Sequence, residues 1–203
     1  MPPVSVSAPL APVFDRLATD GYAVAERFFP SGLCQALQLE AEALATDGAA
    51  IDAGIGRGAT HKSDVGVRRA RIRWVAGSSP AQAAFLATAE NLRQSINELF
   101  YLGLFDFEAQ IALTPVGGFY ARHCDSFHGA RNRIVSLVAY LNEDWGDADG
   151  GCLRIFPPGG VGAVDIVPQR GTLVLMLSED VPHEVLATHR LRASVAGWFR
   201  ARA

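Results

Sequence analysis

The most constraining feature of this sequence is the run of short strand-like segments in its second half. Eight segments rich in β-branched and aromatic residues follow one another between residues 105 and 200, with turns rather than helical stretches between them. In order they read FEAQIALT, FYARHCD, RIVSLVAYL, GCLRIF, AVDIV, GTLVLML, HEVLA and SVAGWFR. So many short strands without an intervening helix predict a closed or two-sheet all-β unit of the jelly-roll kind.

The first half of the chain has a different pattern, in which helices dominate. Ser31 is a candidate N-cap for one helix, and Ser79, which precedes a proline, begins a longer helix that Gly103 ends. Short strands are indicated by GYAVAERFF and RIRWV. We therefore expect a mostly β, α+β protein that forms one domain. Residues 13–104 would provide helical support, and residues 105–203 would form a double-stranded β-helix core.

Residues 48–69, between the two predicted helices, are rich in glycine and polar side chains and show no lasting period. This composition predicts a long loop. Loops of this length are uncommon in compact domains and are often functional. Its basic residues contact either solvent or a substrate, and the pattern alone does not separate these two possibilities.

Composition narrows the class of protein. The net charge of −3 argues against a surface built to neutralise the phosphates of nucleic acid. The three cysteines have no CxxC spacing, so neither a disulfide framework nor a zinc ribbon is indicated. The amino-terminal residues lack a basic start followed by an apolar run, and no stretch is long and apolar enough to span a bilayer. We expect a cytoplasmic protein without a membrane or nucleic-acid partner.

The segment YARHCD carries the first chemical signal. Side chains alternate between the two faces of a strand, so His123 and Asp125 project from the same face. One imidazole and one carboxylate leave a divalent metal under-coordinated, so a third ligand is expected from elsewhere in the fold. His183 is the best candidate, because it opens a strand directly after an acidic turn. His128 and His189 are the competing histidines, and both are more typical of turns.

A second signal lies in the last predicted strand. Arg192 follows His183 by nine residues, and Ser194 lies on the same strand face as this arginine. An arginine and a serine that point inward together supply several hydrogen-bond donors for a carboxylate.

Taken together, these segments resemble a known family. The blocks YARHCD, AYLNEDW, DGGCLRIFPPG, PHEV and RASVAGWF are similar to those of the iron(II)- and 2-oxoglutarate-dependent dioxygenases, in the branch that contains the prolyl 4-hydroxylases and the bacterial relatives of the hypoxia-inducible-factor prolyl hydroxylases. The resemblance is close over residues 114–200 and looser upstream. It implies that iron(II) is held by His123, Asp125 and His183, and that 2-oxoglutarate is decarboxylated to succinate and CO2 with O2 as oxidant. It also suggests L-ascorbate as a reductant for idle iron.

The resemblance further implies which residues hold the cosubstrate. Arg192 would bind the distal carboxylate of 2-oxoglutarate with help from Ser194 and from the hydroxyl of Tyr140, and Trp198 would line the same pocket. Ordinary core packing also explains the tyrosine and the tryptophan. Two positions depart from the close relatives, which have a tyrosine where this chain has Thr114 and in some cases a threonine where it has Ala196.

The expected substrate is a prolyl residue of a protein or peptide, and in the family the segment corresponding to residues 48–69 helps to cover it. A small-molecule hydroxylase, acting on a free amino acid or a natural product, is the alternative within enzymes. A non-catalytic module that senses 2-oxoglutarate and metal is the alternative outside them. The sequence does not indicate an oligomeric state.

Overall fold

The structure of the chain is a computed structural model. It describes residues 10–46, 51–52, 69–126, 132–160 and 162–202. His128, His61 and most of the predicted loop of residues 48–69 lie outside the described residues.

The described part of the first half of the chain contains three helices, in the region where the sequence predicts helices to dominate. They are α1 (Ala11–Asp20), α2 (Ser31–Ala43) and α3 (Pro80–Phe100). Ser79 is the N-cap of α3, and its hydroxyl accepts a hydrogen bond from the backbone N–H of Gln82 at 3.1 Å. The N-cap predicted at Ser31 is wrong, because Pro30 occupies the cap position and Ser31 is already helical. Helix α3 ends before Gly103, with Tyr101 in the left-handed conformation at its C-cap.

The strands form two antiparallel sheets that face each other. The large sheet has the order β1-β9-β6-β11-β4-β3-β2, and the small sheet has the order β5-β10-β7-β8. The strands are β1 (Tyr22–Ala25), β2 (Ile51–Asp52), β3 (Arg71–Trp74), β4 (Leu104–Thr114), β5 (Tyr120–His123), β6 (Arg133–Tyr140), β7 (Leu153–Ile155), β8 (Val164–Ile166), β9 (Leu173–Leu177), β10 (His183–Val185) and β11 (Arg192–Ala201). All eight strands predicted after residue 104 are present, and the jelly-roll prediction is confirmed.

The first half of the chain contributes more than the expected helical support. Strand β1 pairs with β9, and β3 pairs with β4, so these early strands extend both edges of the large sheet. Part of the predicted loop of residues 48–69 is also a strand, because β2 pairs with Ile72 and Arg71. The described part of the chain contains no helix that is both long enough and apolar enough to cross a membrane.

The large sheet separates two apolar layers, because its side chains alternate between its faces. On β11, Val195 and Phe199 face the helices and join the main core with residues such as Leu92 of α3. On β9, Val174 and Met176 point the other way, into a smaller core between the two sheets. The face of β11 that carries Arg192, Ser194 and Trp198 is therefore the face that looks away from the helices.

Gly197 of β11 is required by close packing against β4. A Cβ atom at this position would lie 2.3 Å from Cζ of Phe107, in the layer between sheet and helices. We expect Gly197→Ala to lower the free energy of unfolding by about 1 to 3 kcal/mol, as overpacking of a core does. Urea denaturation followed by circular dichroism measures the effect. Gly32→Ala is the matched control, because an added Cβ in α2 meets nothing within 4 Å and should leave stability unchanged or slightly raised.

Candidate metal and cosubstrate site

Two histidines lie opposite each other on neighbouring strands of the small sheet. His123 ends β5 and His183 begins β10, and the two residues are direct partners in the antiparallel pairing of these strands. Each Nδ1 lies close to a main-chain carbonyl two residues earlier, at 2.8 Å from Ala121 and at 3.0 Å from Val181. A carbonyl only accepts, so Nδ1 carries the hydrogen and the lone pair of Nε2 is available as a ligand in both rings.

Asp125, in the turn after β5, completes the cluster. Its Oδ1 lies 3.6 Å from Nε2 of His123, and its Oδ2 lies 3.7 Å from Nε2 of His183. The three ligand atoms all lie within 4.8 Å of one another. The structure therefore brings together the three residues selected from the sequence, close enough for one metal ion to bind all three. His189 lies outside this cluster, on the surface, where its Nδ1 is 2.8 Å from the carbonyl of Ala148.

The electrostatics of the cluster favour the protonation states that bind metals. Burial raises the pKa of Asp125, but the two facing histidines and a hydrogen bond from Ser136 outweigh it and hold that pKa well below its usual range. Burial lowers the pKa of His183. At neutral pH the carboxylate is therefore charged and the imidazole of His183 is neutral, and these are the forms in which the two side chains coordinate a metal ion.

Arg192 is a buried cation whose hydrogen bonds go to neutral groups. Its Nε donates to the carbonyl of Gly151 at 2.8 Å, and its NH1 makes a longer contact of 3.4 Å to Oγ of Ser194. Its guanidinium carbon lies 5.1 Å from the centre of the Tyr140 ring. Among the described residues no carboxylate forms an ion pair with it. A buried charge without a counter-ion is costly, so this arrangement favours an anionic ligand beside Arg192.

Tyr140 presents a hydroxyl to the same region. The side chain is fully buried, and within the described ranges its O–H has no acceptor, although the neighbouring guanidinium of Arg192 interacts with the phenol oxygen. Burial raises the pKa of Tyr140 to about 12, so the hydroxyl keeps its proton. A protonated donor that lacks an acceptor among the described residues, next to the guanidinium of Arg192, is suited to a ligand carboxylate.

Trp198 lies at the other end of this face of β11. It is the cross-strand partner of Ser136 on β6, whose Oγ lies 2.6 Å from Oδ2 of Asp125, and the guanidinium carbon of Arg133 lies 3.6 Å from its ring centre. Six residues of strand separate it from Arg192, which is roughly 20 Å along β11, so Trp198 lies towards the metal cluster rather than beside the arginine. Its contact with the cosubstrate stays a prediction. Thr114, one of the two departures, lies directly opposite Arg192 in the β4–β11 pairing.

Several neighbours of the cluster are not indicated by the sequence patterns. The ring of Tyr120 stacks on His123 with 3.7 Å between ring centres. Ser136 donates to Oδ2 of Asp125 at 2.6 Å and is in contact with Ser178. The available signal for Ser136 was a lone hydroxyl residue in the otherwise apolar run of RIVSLVAYL. Gly151 also matters, because a Cβ at this position would lie 3.0 Å from Cδ of Arg192.

Comparisons with known proteins agree with this geometry. Residues 109–200 match the model of the 2OG-Fe(II) oxygenase superfamily. The structure is similar to that of a Pseudomonas putida prolyl-4-hydroxylase, with 42% sequence identity, a TM-score of 0.86 and coverage of 96% of this chain and 100% of that one. A Trichoplax adhaerens prolyl hydroxylase, solved in complex with a hypoxia-inducible factor peptide, shares the fold with a TM-score of 0.80 and 24% identity over 93% of this chain and 87% of its own.

A further relative is much longer than this chain. The hypoxia-inducible factor prolyl hydroxylase of Caenorhabditis elegans is 34% identical over 94 residues. The aligned stretch is 45% of this chain and only 13% of the nematode protein.

Proposed function

This chain belongs to the 2OG-Fe(II) oxygenase superfamily, and from that premise we propose that it hydroxylates a prolyl residue of a polypeptide substrate. As a dioxygenase of this superfamily it uses iron(II), 2-oxoglutarate and O2. The observation that carries the proposal is the cluster of two imidazoles and one carboxylate in a fold that also buries Arg192, for which the described residues provide no carboxylate partner.

His123, Asp125 and His183 are the proposed iron ligands. The donor set fits the metal, because two histidines and one carboxylate on one side of a non-haem iron leave positions for other ligands. Bound there, iron(II) supplies the activation of O2. The chain itself orients both rings through main-chain carbonyls and keeps the carboxylate ionised, so the ligand atoms are prepared before the metal arrives.

Arg192 is the proposed anchor for the distal carboxylate of 2-oxoglutarate. Its Nε is already used by Gly151, which leaves the terminal nitrogens of the guanidinium for the ligand. Ser194 lies beside one of these nitrogens, and the hydroxyl of Tyr140, whose hydrogen has no acceptor among the described residues, adds a neutral donor. The anion would therefore receive hydrogen bonds from several groups in a site that excludes water, where such bonds are strongest.

Tyr140 tests this assignment through two opposite effects. Tyr140→Phe removes a buried O–H that has no acceptor among the described residues, but it also removes the interaction of the phenol oxygen with Arg192, so we expect the unliganded protein to become more stable by no more than about 1 kcal/mol. The same change should weaken 2-oxoglutarate binding by roughly 10-fold, which corresponds to one lost hydrogen bond to a charged group. Urea denaturation and calorimetric titration with 2-oxoglutarate measure the two quantities. A loss of stability together with unchanged binding would contradict the proposed contact.

The polypeptide substrate is supported by the two prolyl hydroxylases to which the chain is 42% and 34% identical. To test it, the iron-loaded protein is incubated with 2-oxoglutarate and prolyl peptides, free proline or a cell lysate, and added oxygen is located by mass spectrometry. We expect one oxygen atom on a prolyl residue of a peptide or protein and a matching release of succinate. Oxygen on free proline would favour the small-molecule alternative, and absence of succinate under all conditions would favour the non-catalytic one.

Asp125→Ala is the control that assigns any product to this site, since it removes the only carboxylate of the metal cluster. Stimulation by L-ascorbate and a cytoplasmic location remain predictions. So does the role of residues 48–69 in covering the substrate.

A further inference from the structure

Asp125 is held by two serine hydroxyls that the proposed catalytic roles do not use. Oγ of Ser136 lies 2.6 Å from Oδ2 of Asp125 and 2.8 Å from Oγ of Ser178. Both serines are 1% exposed. Ser136 lies within β6 of the large sheet and Ser178 directly follows β9, whereas Asp125 follows β5 of the small sheet. The three residues therefore connect the two sheets next to the metal cluster.

The direction of these hydrogen bonds follows from chemistry. An ionised carboxylate only accepts, so Ser136 donates its single hydroxyl hydrogen to Asp125. Ser136 then has only acceptor capacity left, and Ser178 must be the donor in the contact between the two serines. The order is thus Ser178 to Ser136 to Asp125, and each bond in such a series polarises and strengthens the next one.

Asp125 depends on this series in a way that the two histidines do not. Each imidazole is oriented by a main-chain carbonyl of its own segment, which no substitution removes. The carboxylate is oriented by a side chain of the opposite sheet. Ser136 occupies Oδ2, while Oδ1 lies 3.6 Å from Nε2 of His123. Both oxygens face the histidines, since Oδ2 also lies 3.7 Å from Nε2 of His183, and the hydrogen bond from Ser136 fixes Oδ2 in that position.

We propose that Ser136 and Ser178 form a positioning relay that sets the rotation of the Asp125 carboxylate and so determines the metal affinity of the site. The inference rests on the proposed function, because it assumes that the cluster binds a metal. Neither serine is a catalytic residue, since both act through Asp125. Without the relay the carboxylate would rotate more freely, and metal binding would have to restrict that rotation at a cost in affinity.

Calorimetric titration with Mn²⁺, a redox-stable probe for the iron site, tests the relay. Ser136→Ala is expected to weaken Mn²⁺ binding by about 10- to 100-fold, the range seen when a group that orients a metal ligand is lost. Ser178→Ala should cause a smaller loss, because it weakens the hydrogen bond from Ser136 without removing it. The double variant should bind no more weakly than Ser136→Ala, because Ser178 reaches Asp125 only through Ser136.

Two further variants separate positioning from a general structural effect. Ser136→Thr keeps the hydroxyl and should restore most of the Mn²⁺ affinity. Ser126→Ala is the matched control, because Ser126 is the buried neighbour of Asp125 and its Oγ has no hydrogen-bond partner in the described part of the chain. It should bind Mn²⁺ like the wild type. Urea denaturation without metal reports the stability of each variant, and if Ser136→Ala does not fold, Ser178→Ala decides the question.

The relay is overturned if Ser136→Ala binds Mn²⁺ as tightly as the wild type, if Ser126→Ala is weakened equally, or if Ser136→Thr binds no better than Ser136→Ala. A wild-type protein that binds no Mn²⁺ at all would instead contradict the metal site itself, and the relay with it. If Asp125→Ala loses Mn²⁺ binding while Ser136→Ala binds Mn²⁺ like the wild type, the proposed function stands and only the relay is contradicted.

Discussion

Replacing His183 with alanine is expected to reduce 2-oxoglutarate turnover by more than about 100-fold. Loss of a group that only orients a metal ligand costs up to about 100-fold, and loss of the ligand itself should cost more. The change leaves one imidazole and one carboxylate, a set that holds a divalent metal poorly. Succinate formation by the iron-loaded variant, measured against the wild type at saturating 2-oxoglutarate, gives the ratio. Mn²⁺ titration of the same samples shows whether activity and metal are lost together.

His189→Ala is the matched control for this prediction. His189 competes with His183 in the sequence, but in the structure it lies on the surface and contacts the carbonyl of Ala148. Its removal should leave both turnover and Mn²⁺ affinity near the wild-type values. The assignment fails if His189→Ala abolishes turnover while His183→Ala retains it.

Arg192→Ala is expected to have the second largest effect, on the cosubstrate rather than on the metal. Loss of a charge-assisted pair with the distal carboxylate corresponds to about 2 to 4 kcal/mol, and thus to a rise in the KM for 2-oxoglutarate of roughly 30- to 900-fold. Turnover measured over a range of 2-oxoglutarate concentrations gives this change. Because Arg192 does not contact the ligand cluster in the proposed arrangement, Mn²⁺ affinity should be almost unchanged.

Arg154→Ala provides the comparison for loss of an arginine as such. Arg154 is partly exposed on β7 of the small sheet and pairs with Asp165 of the neighbouring edge strand β8 at 2.7 Å. This exposed pair contributes little, and the KM should stay within about twofold of the wild-type value. Equal losses of Mn²⁺ affinity and of 2-oxoglutarate affinity in Arg192→Ala would contradict the separate roles of anchor and metal cluster.

Much of the fold was predictable because its strongest signals are local. The eight strands of the second half are short alternating runs between turns, and a strand period is legible in a few consecutive residues. Ser79 could be recognised as an N-cap because its hydroxyl bonds within its own turn. The prediction at Ser31 is wrong because a serine favours the N-cap position, but here Pro30 occupies that position and Ser31 is the first residue of the helix.

By itself, the sequence determined which face of each strand carries chemistry. The period of two places Arg192 and Ser194 on a common face of β11, whereas Asp125 lies in the turn after β5, where the turn and not the strand period sets its direction. The same period does not give the distance between two members of one face: Arg192 and Trp198 share a face of β11 but lie roughly 20 Å apart along the strand.

The tertiary structure alone decided which faces meet. His183 rather than His189 joins the cluster because β10 pairs with β5 in the register that sets His183 against His123. Ser136 reaches Asp125 only because the two sheets pack face to face, and no pattern in the sequence encodes a contact between residues from different sheets. Such contacts depend on strand register and on the packing of whole layers, which result from the summed burial of many side chains rather than from any one segment.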